Sequence, residues 1–407
     1  MEVPFTWFAT GWYVIGWSEE FEQGQSKPLH YFGEELVGYR DDNGEIHVLT
    51  GNCKHLGAHL GHGGKVVGDC IECPFHGWRW GPDGKHAYMP SEPGRTMKTM
   101  KLRSYPIHES HGVVFMWYHP HGEAPRWAPP DIFTKFPEVT DTPDMYYRSY
   151  PEFSVVCRDE NVHPQIVAEN APDSAHFRYV HNATVTPICL KWEIEDNEWQ
   201  FLTGWPDVNS SDPDAMSLRV HSHIAGLGYA ITAFEGVQQH RLIFACTPTD
   251  QGKSDLFYKI WWPKPEGETS DVPPPEIQKL VEKRFLQTVW DDLSIWRYQK
   301  YVERPPLDRI DLHLRPVGEM PAQRIADRPQ GPQRGRQHQR APAQHTRAAR
   351  HQRGHLGRML RVRRLGKGAG HIHAGLAGIV EGALDAQGGG ICQTAGLGEP
   401  AQRRVIA

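Results

Sequence analysis

Four residues in the first quarter of the chain carry the sharpest chemical signal. Cys53 and His55 are followed, after 17 intervening residues, by Cys73 and His76, a C-x-H-x17-C-x-x-H pattern. Each half offers one thiolate and one imidazole close together in sequence. Two Cys on one iron and two His on the other complete a [2Fe–2S] cluster, and neutral imidazole in place of thiolate raises its potential above that of an all-Cys site. Gly57, Gly61, Gly63, Gly64 and Gly77 let backbone close around the sulfurs and donate N–H bonds. The competing reading is a zinc site from Cys70, Cys73, His55 and His76. It discards Cys53, whose half mirrors the other. A chance collection of buried Cys and His is the blandest reading.

A second constellation stands further along, in Asn170-Ala171-Pro172-Asp173-Ser174-Ala175-His176-Phe177-Arg178-Tyr179-Val180-His181. Two imidazoles five residues apart reach one ion if the chain turns between them. With one carboxylate they form the facial triad that leaves positions open on Fe(II) for oxygen. Taken alone the pair reads more simply as capping or solvated histidine. The carboxylate must come from elsewhere, and the apolar positions Ile277, Leu280, Val281, Phe285, Val289 and Trp296 predict a long helix to supply it. At roughly 100° per residue, Asp292 falls in the middle of that stripe and Asp291 on its edge. A carboxylate facing a core is costly unless paired or metal-bound, so Asp292 is the better ligand candidate.

Around these residues the pattern is α+β. Glu35–Tyr39 and Glu45–Leu49 flank Asn43-Gly44, a hairpin signal, and Pro82-Asp83-Gly84 marks a turn after Trp78-Arg79-Trp80. Val113–Tyr118 is a further strand. Residues 1–120 therefore read as an all-β domain, and the proline-rich stretch 121–144 as a linker. Residues 145–320 read as a mixed domain: an extended stretch to Val156, a helix from Asp159 to about Tyr179 interrupted near Pro164 and Pro172, strands at His221–Phe234, Arg241–Thr247 and Leu256–Trp262, and the long helix from Pro273-Pro274-Pro275 to about Glu303.

Composition bounds the function. The 407 residues are 39% hydrophobic and 23% charged, a globular mixture. No run approaches the roughly 18 apolar residues of a membrane helix. No signal peptide is visible, and seven Cys are too few and too uneven for a disulfide framework, so a cytoplasmic location is expected. The net charge of −5 hides a split: residues 321–407 carry 14 Arg and one Lys against two Asp and two Glu, hence +11, leaving −16 upstream. This tail holds no Phe, Tyr or Trp, whereas the rest holds all 14 Trp, 14 Tyr and 15 Phe. It reads as a disordered arm or as a stretch translated out of frame, rather than as a nucleic-acid-binding arm. No G-x-G-x-x-G follows a strand, so no nicotinamide or flavin site is expected in the chain.

Cys53-Lys54-His55 with Cys73-Pro74-Phe75-His76-Gly77-Trp78 resembles the Rieske motif of the Rieske non-heme iron oxygenases. Asn170-x2-Asp173-x2-His176-x4-His181 resembles that family's iron-binding motif, and Asp292-Leu293-Ser294-Ile295-Trp296 its third-ligand helix. The Phe5-x-Trp7-Phe8-Ala9-x-Gly11-Trp12 start and Trp78-Arg79-Trp80 resemble the branch of 3-ketosteroid 9α-hydroxylase oxygenases and cholesterol desaturases, over residues 5–316. The resemblance implies a Rieske domain followed by a helix-grip-like catalytic domain with an antiparallel sheet. It implies that Cys53, His55, Cys73 and His76 bind the cluster and that His176, His181 and Asp292 hold Fe(II), with Asn170 close by. Asp173 would link His76 of one chain to His176 of the next, which requires an oligomer, by family expectation a trimer. The implied reaction uses O2 and electrons from a separate NAD(P)H-dependent flavin/iron–sulfur reductase to hydroxylate or desaturate an apolar steroid-like molecule. The alternatives are an aromatic-ring or aromatic-acid substrate, or an electron carrier without catalytic iron.

Overall fold

The computed structural model describes residues 3–195, 197–302 and 306. The expectations for the tail at 321–407 lie outside these residues. The first strands are β1 (Gly11–Trp17), β2 (Ser26–Tyr31), β3 (Glu34–Arg40), β4 (Ile46–Thr50), β5 (Lys65–Val67), β6 (Cys70–Glu72), β7 (Arg79–Trp80), β8 (His86–Tyr88), β9 (Ser104–Tyr105), β10 (Ile107–Ser110) and β11 (Val113–Tyr118). They form three antiparallel sheets, ordered β1-β11-β10, β2-β3-β4-β9 and β5-β6-β7-β8. The Asn43-Gly44 turn joins β3 to β4, with Gly44 at φ +89° as such a hairpin demands.

The remainder is one seven-stranded antiparallel sheet, ordered β12-β18-β17-β16-β15-β14-β13. Its strands are β12 (Ser154–Glu160), β13 (Ile188–Glu195), β14 (Glu198–Pro206), β15 (Met216–Ala225), β16 (Tyr229–Gly236), β17 (His240–Asp250) and β18 (Lys253–Trp261). Helices α1 (Pro164–Asn170) and α2 (His176–Tyr179) lie between β12 and β13. After β18, α3 (Pro275–Val281), a π-helical turn (Glu282–Leu286) and α4 (Gln287–Trp296) run on without a break.

Side chains alternate across a strand, so the sheet has two faces with different neighbours. One face, including Ile231, Ala233, Ile243, Ala245 and Phe257, shares a core with Tyr13, Val14 and Trp17 of β1 and with Phe115 of β11. The two parts meet closely there: a Cβ on Gly228 would lie 2.0 Å from the Trp12 carbonyl oxygen, so only glycine fits this turn. Lys259, 2% exposed, crosses the same junction to donate to the Gly112 carbonyl at 2.9 Å, over the ring of Trp17. The other face, with Phe244, Cys246, Leu256, Tyr258 and Ile260, packs against Val281, Leu286, Val289, Leu293 and Trp296 of the long helix and Ile166 and Val167 of α1.

Three expectations about element bounds change. The interval expected to be helical from Asp159 instead opens with the end of β12, and α1 starts only at Pro164, whose missing N–H costs nothing in a first turn. His221–Phe234, expected as one strand, is two, because Gly226 takes φ +71° and lets an apolar segment turn. The long helix ends at Trp296 rather than near Glu303, and its π turn inserts an extra residue that brings Leu293 (0% exposed) to the core beside Asp292.

Candidate metal centres

Cys53 and Cys73 sit on two loops of the same design. In each, a glycine four residues on donates its N–H back to the cysteine carbonyl: Gly57 to Cys53 at 2.9 Å and Gly77 to Cys73 at 3.0 Å. Both glycines have positive φ (+76° and +69°), which no β-carbon-bearing residue adopts cheaply. The Cys53 N–H bonds the Ala58 carbonyl and the Cys73 N–H the Trp78 carbonyl, closing each loop a second time. The sequence folds this way because each loop leaves and rejoins short strands, β6 and β7 holding the second one.

The loops bring the four expected residues together. Cys53 and Cys73 are free thiols, 2% and 3% exposed, and burial pushes the Cys53 thiol up, with its neighbour Cys73 adding to the effect. The rings of His55 and His76 lie 4.6 Å apart at 72°. His55 Nδ1 is buried without a hydrogen-bond partner. Two buried thiols beside an imidazole nitrogen that lacks a hydrogen-bond partner are what a cluster would satisfy, so the residues present fit the [2Fe–2S] group. Cys70 is spent elsewhere: its thiol faces Asp69 Oδ1 at 3.2 Å, and burial raises it to about 12. Two further residues emerge only in three dimensions. Trp78 stacks on the His55 ring at 4.4 Å and 2°, and the Trp80 indole N–H donates to Cys53 Sγ at 3.3 Å.

The second centre is built by α1, α2 and α4. The ligand atoms of His176, His181 and Asp292 all lie within 4.8 Å of one another. His176 follows a tight turn that Pro172 and Asp173 create, and Asp173 Oδ1 accepts from the N–H groups of Ala175 (2.9 Å) and His176 (3.3 Å). The His176 Nδ1 faces the Asp173 carbonyl at 2.6 Å, and Asn170 Nδ2 meets its Nε2 at 3.3 Å. Burial pulls the His176 imidazolium below its ordinary range, which favours the neutral ligand form. His181 stands 5.2 Å away, ring to ring, with Nε2 3.3 Å from Asp292 Oδ1 and Nδ1 buried and unpartnered. Helix phase is decisive for the carboxylate: the Asp292 side chain is 10% exposed and the Asp291 side chain 38%. An open-sided His-His-Asp set with an orphaned ring nitrogen fits one ferrous ion.

Among the described residues, the Asp173 side chain accepts hydrogen bonds through one oxygen, Oδ1. Oδ2 lies 3.9 Å from His176 Nδ1, beyond hydrogen-bond reach, on a side chain 30% exposed. Within one chain the carboxylate caps the His176 turn.

Twin Cys/His loops in a small β domain, joined to a sheet that grips a helix over a His-His-Asp centre, define a Rieske-type non-heme iron oxygenase. The Rieske [2Fe-2S] domain family matches residues 11–106, and the 3-ketosteroid 9α-hydroxylase C-terminal domain family matches residues 116–316. The oxygenase component of 3-ketosteroid-9-alpha-monooxygenase from Rhodococcus rhodochrous is 31% identical over 317 residues, covering 75% of this chain and 80% of the relative. Cholesterol 7-desaturase of Caenorhabditis elegans is 32% identical over 344 residues, covering 75% and 74%. Crystalline dicamba monooxygenase shares the fold, with a TM-score of 0.56 at 18% identity over 78% of this chain and 97% of that one. The chain belongs to the Rieske non-heme iron oxygenases, in the 3-ketosteroid 9α-hydroxylase and cholesterol 7-desaturase branch, whose cofactors are a Rieske [2Fe–2S] cluster and mononuclear iron. Among the described residues no helix is long and apolar enough to cross a membrane.

Proposed function

We propose that the chain is the terminal oxygenase of a two-component system that hydroxylates or desaturates a steroid of the 3-ketosteroid or cholesterol type. The observation that carries the substrate class is the lining of the sheet where it faces the helix. Strand register puts Phe201, Ser222, Thr232 and Leu242 in one row across this face and Thr203, Val220, Phe234 and His240 in the next. Neither row carries Lys or Arg. Arg241, the neighbouring cation, points to the other face and is held by Asp141 at 2.6 Å. An aromatic acid needs a cation for its carboxylate, whereas a flat apolar molecule with few polar atoms suits these rows. The steroid names of both relatives agree.

The geometry supports the following site roles. Cys53, Cys73, His55 and His76 would hold the cluster, and His176, His181 and Asp292 the iron. When bound, the cluster supplies single electrons and the iron supplies O2 activation. The Asp173 carbonyl orients the His176 ring through Nδ1, Asn170 meets its Nε2 in the metal-free site, and Asp173 Oδ1 fixes the turn that presents it. Phe177 packs edge-on against Trp205 at 5.3 Å and anchors the same turn to the sheet. Asp173 Oδ2 would face His76 of a second copy, giving electrons a hydrogen-bonded route in a cyclic trimer. A separate NAD(P)H-dependent reductase, a cytoplasmic location, and a division into domains at 1–120 and 145–320 joined by 121–144 complete the reading.

The test is turnover of the iron-loaded protein with a reductase, NADH and O2, offered a 3-ketosteroid, cholesterol and an aromatic carboxylate in parallel. A hydroxylated or desaturated steroid is expected. Oxidation of the aromatic acid alone overturns the assignment.

A further inference from the structure

His240, the first residue of β17, is buried with nothing to bond. It is 0% exposed, and both its ring nitrogens lack a hydrogen-bond partner among the described residues. Buried polar groups are nearly always paired, and an orphan costs free energy that proteins keep where a function needs the free group. We infer that His240 is the group that recognises the oxygen at C3 of the steroid. The inference rests on the steroid reading above and deepens it.

Strand geometry places the residue. Arg241, the next along, points to the opposite face and pairs with Asp141, so His240 lies on the face that meets the long helix. Three rings box it, with centroids at 3.8 Å (Phe234, stacked), 5.0 Å (Phe285) and 5.6 Å (Trp262). None of these three is fully buried, so the box is open along them. Phe285 stands seven residues before Asp292 on the helix. Seven residues are two turns, so the two side chains face the same way, about 10 Å apart along the axis. A fused four-ring nucleus laid along the helix reaches from the His-His-Asp centre to the imidazole. Other hydroxyls of this face are already spent, since those of Ser222 and Thr232 meet each other at 3.3 Å.

The chemistry matches both steroid classes. Burial pulls the His240 imidazole down to about 3, so it is neutral, with one N–H donor and one bare nitrogen. The donor suits a 3-ketone, and either nitrogen suits a 3-hydroxyl. C3 is where 3-ketosteroids and cholesterol both carry oxygen, and cholesterol carries no other. A merely space-filling His240 would not distinguish a steroid with that oxygen from one without it.

The experiment uses the full chain loaded with cluster and iron, without reductant, so that nothing turns over. Equilibrium dialysis compares cholest-4-en-3-one with cholest-4-ene, which differs only in lacking the C3 oxygen. The unaltered protein should bind the ketone about tenfold more tightly, about 1.4 kcal/mol, the scale of one hydrogen bond. His240→Phe keeps a buried ring and should bind the two equally. A gap that survives in His240→Phe overturns the proposal, and so does the absence of a gap in the unaltered protein. A second measurement needs no substitution: the infrared C=O stretch of the ketone labelled with 13C at C3. Bound to the unaltered protein, it should fall below its position in an alkane solvent. An unshifted band overturns the proposal whether or not His240→Phe folds. An unaltered protein that binds neither steroid overturns the substrate reading itself, an outcome distinct from these.

Discussion

Replacing Asp292 by Asn should make the metal-free protein more stable and the iron-loaded protein incapable of holding its third iron. The Asp292 side chain is 10% exposed, and its one ion-pairing neighbour among the described residues is His181, at 3.3 Å. His176, the other imidazole, is pushed toward neutrality by burial. Without metal, the carboxyl group sits in a buried site with no strong cation beside it, and exchanging it for a neutral amide returns about 1–3 kcal/mol. At roughly 2–4 °C per kcal/mol for a large domain, the metal-free Asp292→Asn protein should melt about 2–12 °C higher. Ferrous iron reverses the order. At a hundredfold excess over its dissociation constant, a bound ion adds about 2.7 kcal/mol to the unaltered protein, and the variant gains nothing. The assay is anaerobic thermal melting with and without Fe(II), with iron counted per chain after desalting. Iron should fall from about three to about two per chain, the two being those of the cluster. Asp291→Asn, on the exposed side of the same helix, should change neither melting nor iron content. An Asp292→Asn protein that keeps its third iron, or an Asp291→Asn protein that loses it, refutes the ligand assignment.

Two further predictions concern groups buried away from the metals. Burial lowers Lys259 from its ordinary 10.5 to about 8, against the pull of Glu19 and Glu20. The unfolded chain then binds the proton more readily between pH 8 and 10.5, so this group's contribution to stability rises with pH across that window, by about 3 kcal/mol in all. The unfolding free energies of the unaltered protein and Lys259→Met, compared by denaturant titration, should converge by about that amount between the two limits; a difference constant with pH would contradict it. His240 is 0% exposed, both its ring nitrogens lack partners, and burial drives it down to about 3. It is stacked on Phe234 at 3.8 Å, so His240→Phe should raise the melting temperature by a few degrees, and a fall would show that the imidazole has a partner in the folded protein.

What could be read from the sequence was what local spacing encodes. Cys53, His55, Cys73 and His76 are legible because both loops carry their ligands within four residues, and the structure shows the loops as near copies closed by Gly57 and Gly77. Asp292 is legible because a helical stripe has one period, and the π turn at Glu282–Leu286 lies before it and leaves its burial intact. The Trp80 bond to Cys53 spans 27 residues and depends on how β6 and β7 pair, which no spacing rule reports. The dual use of Asp173, cap through Oδ1 and open through Oδ2, was equally hidden, since a turn carboxylate and a bridging one look alike in sequence. The break at Gly226 was missed because the turn is apolar, Ala225 and Leu227 being buried, and turn signals are read from polar residues.

The presence of two separate iron centres in one chain, a Cys2His2 cluster and a His2Asp ion, sets its metal content. The measurement that bears on it most directly is metal and sulfide analysis of protein purified without oxygen, with an EPR spectrum after reduction. About three irons and two acid-labile sulfides per chain, with the low average g of a mixed Cys/His cluster, are predicted. Zinc without sulfide would contradict both centres, and two irons with two sulfides after reconstitution with excess Fe(II) would contradict the second.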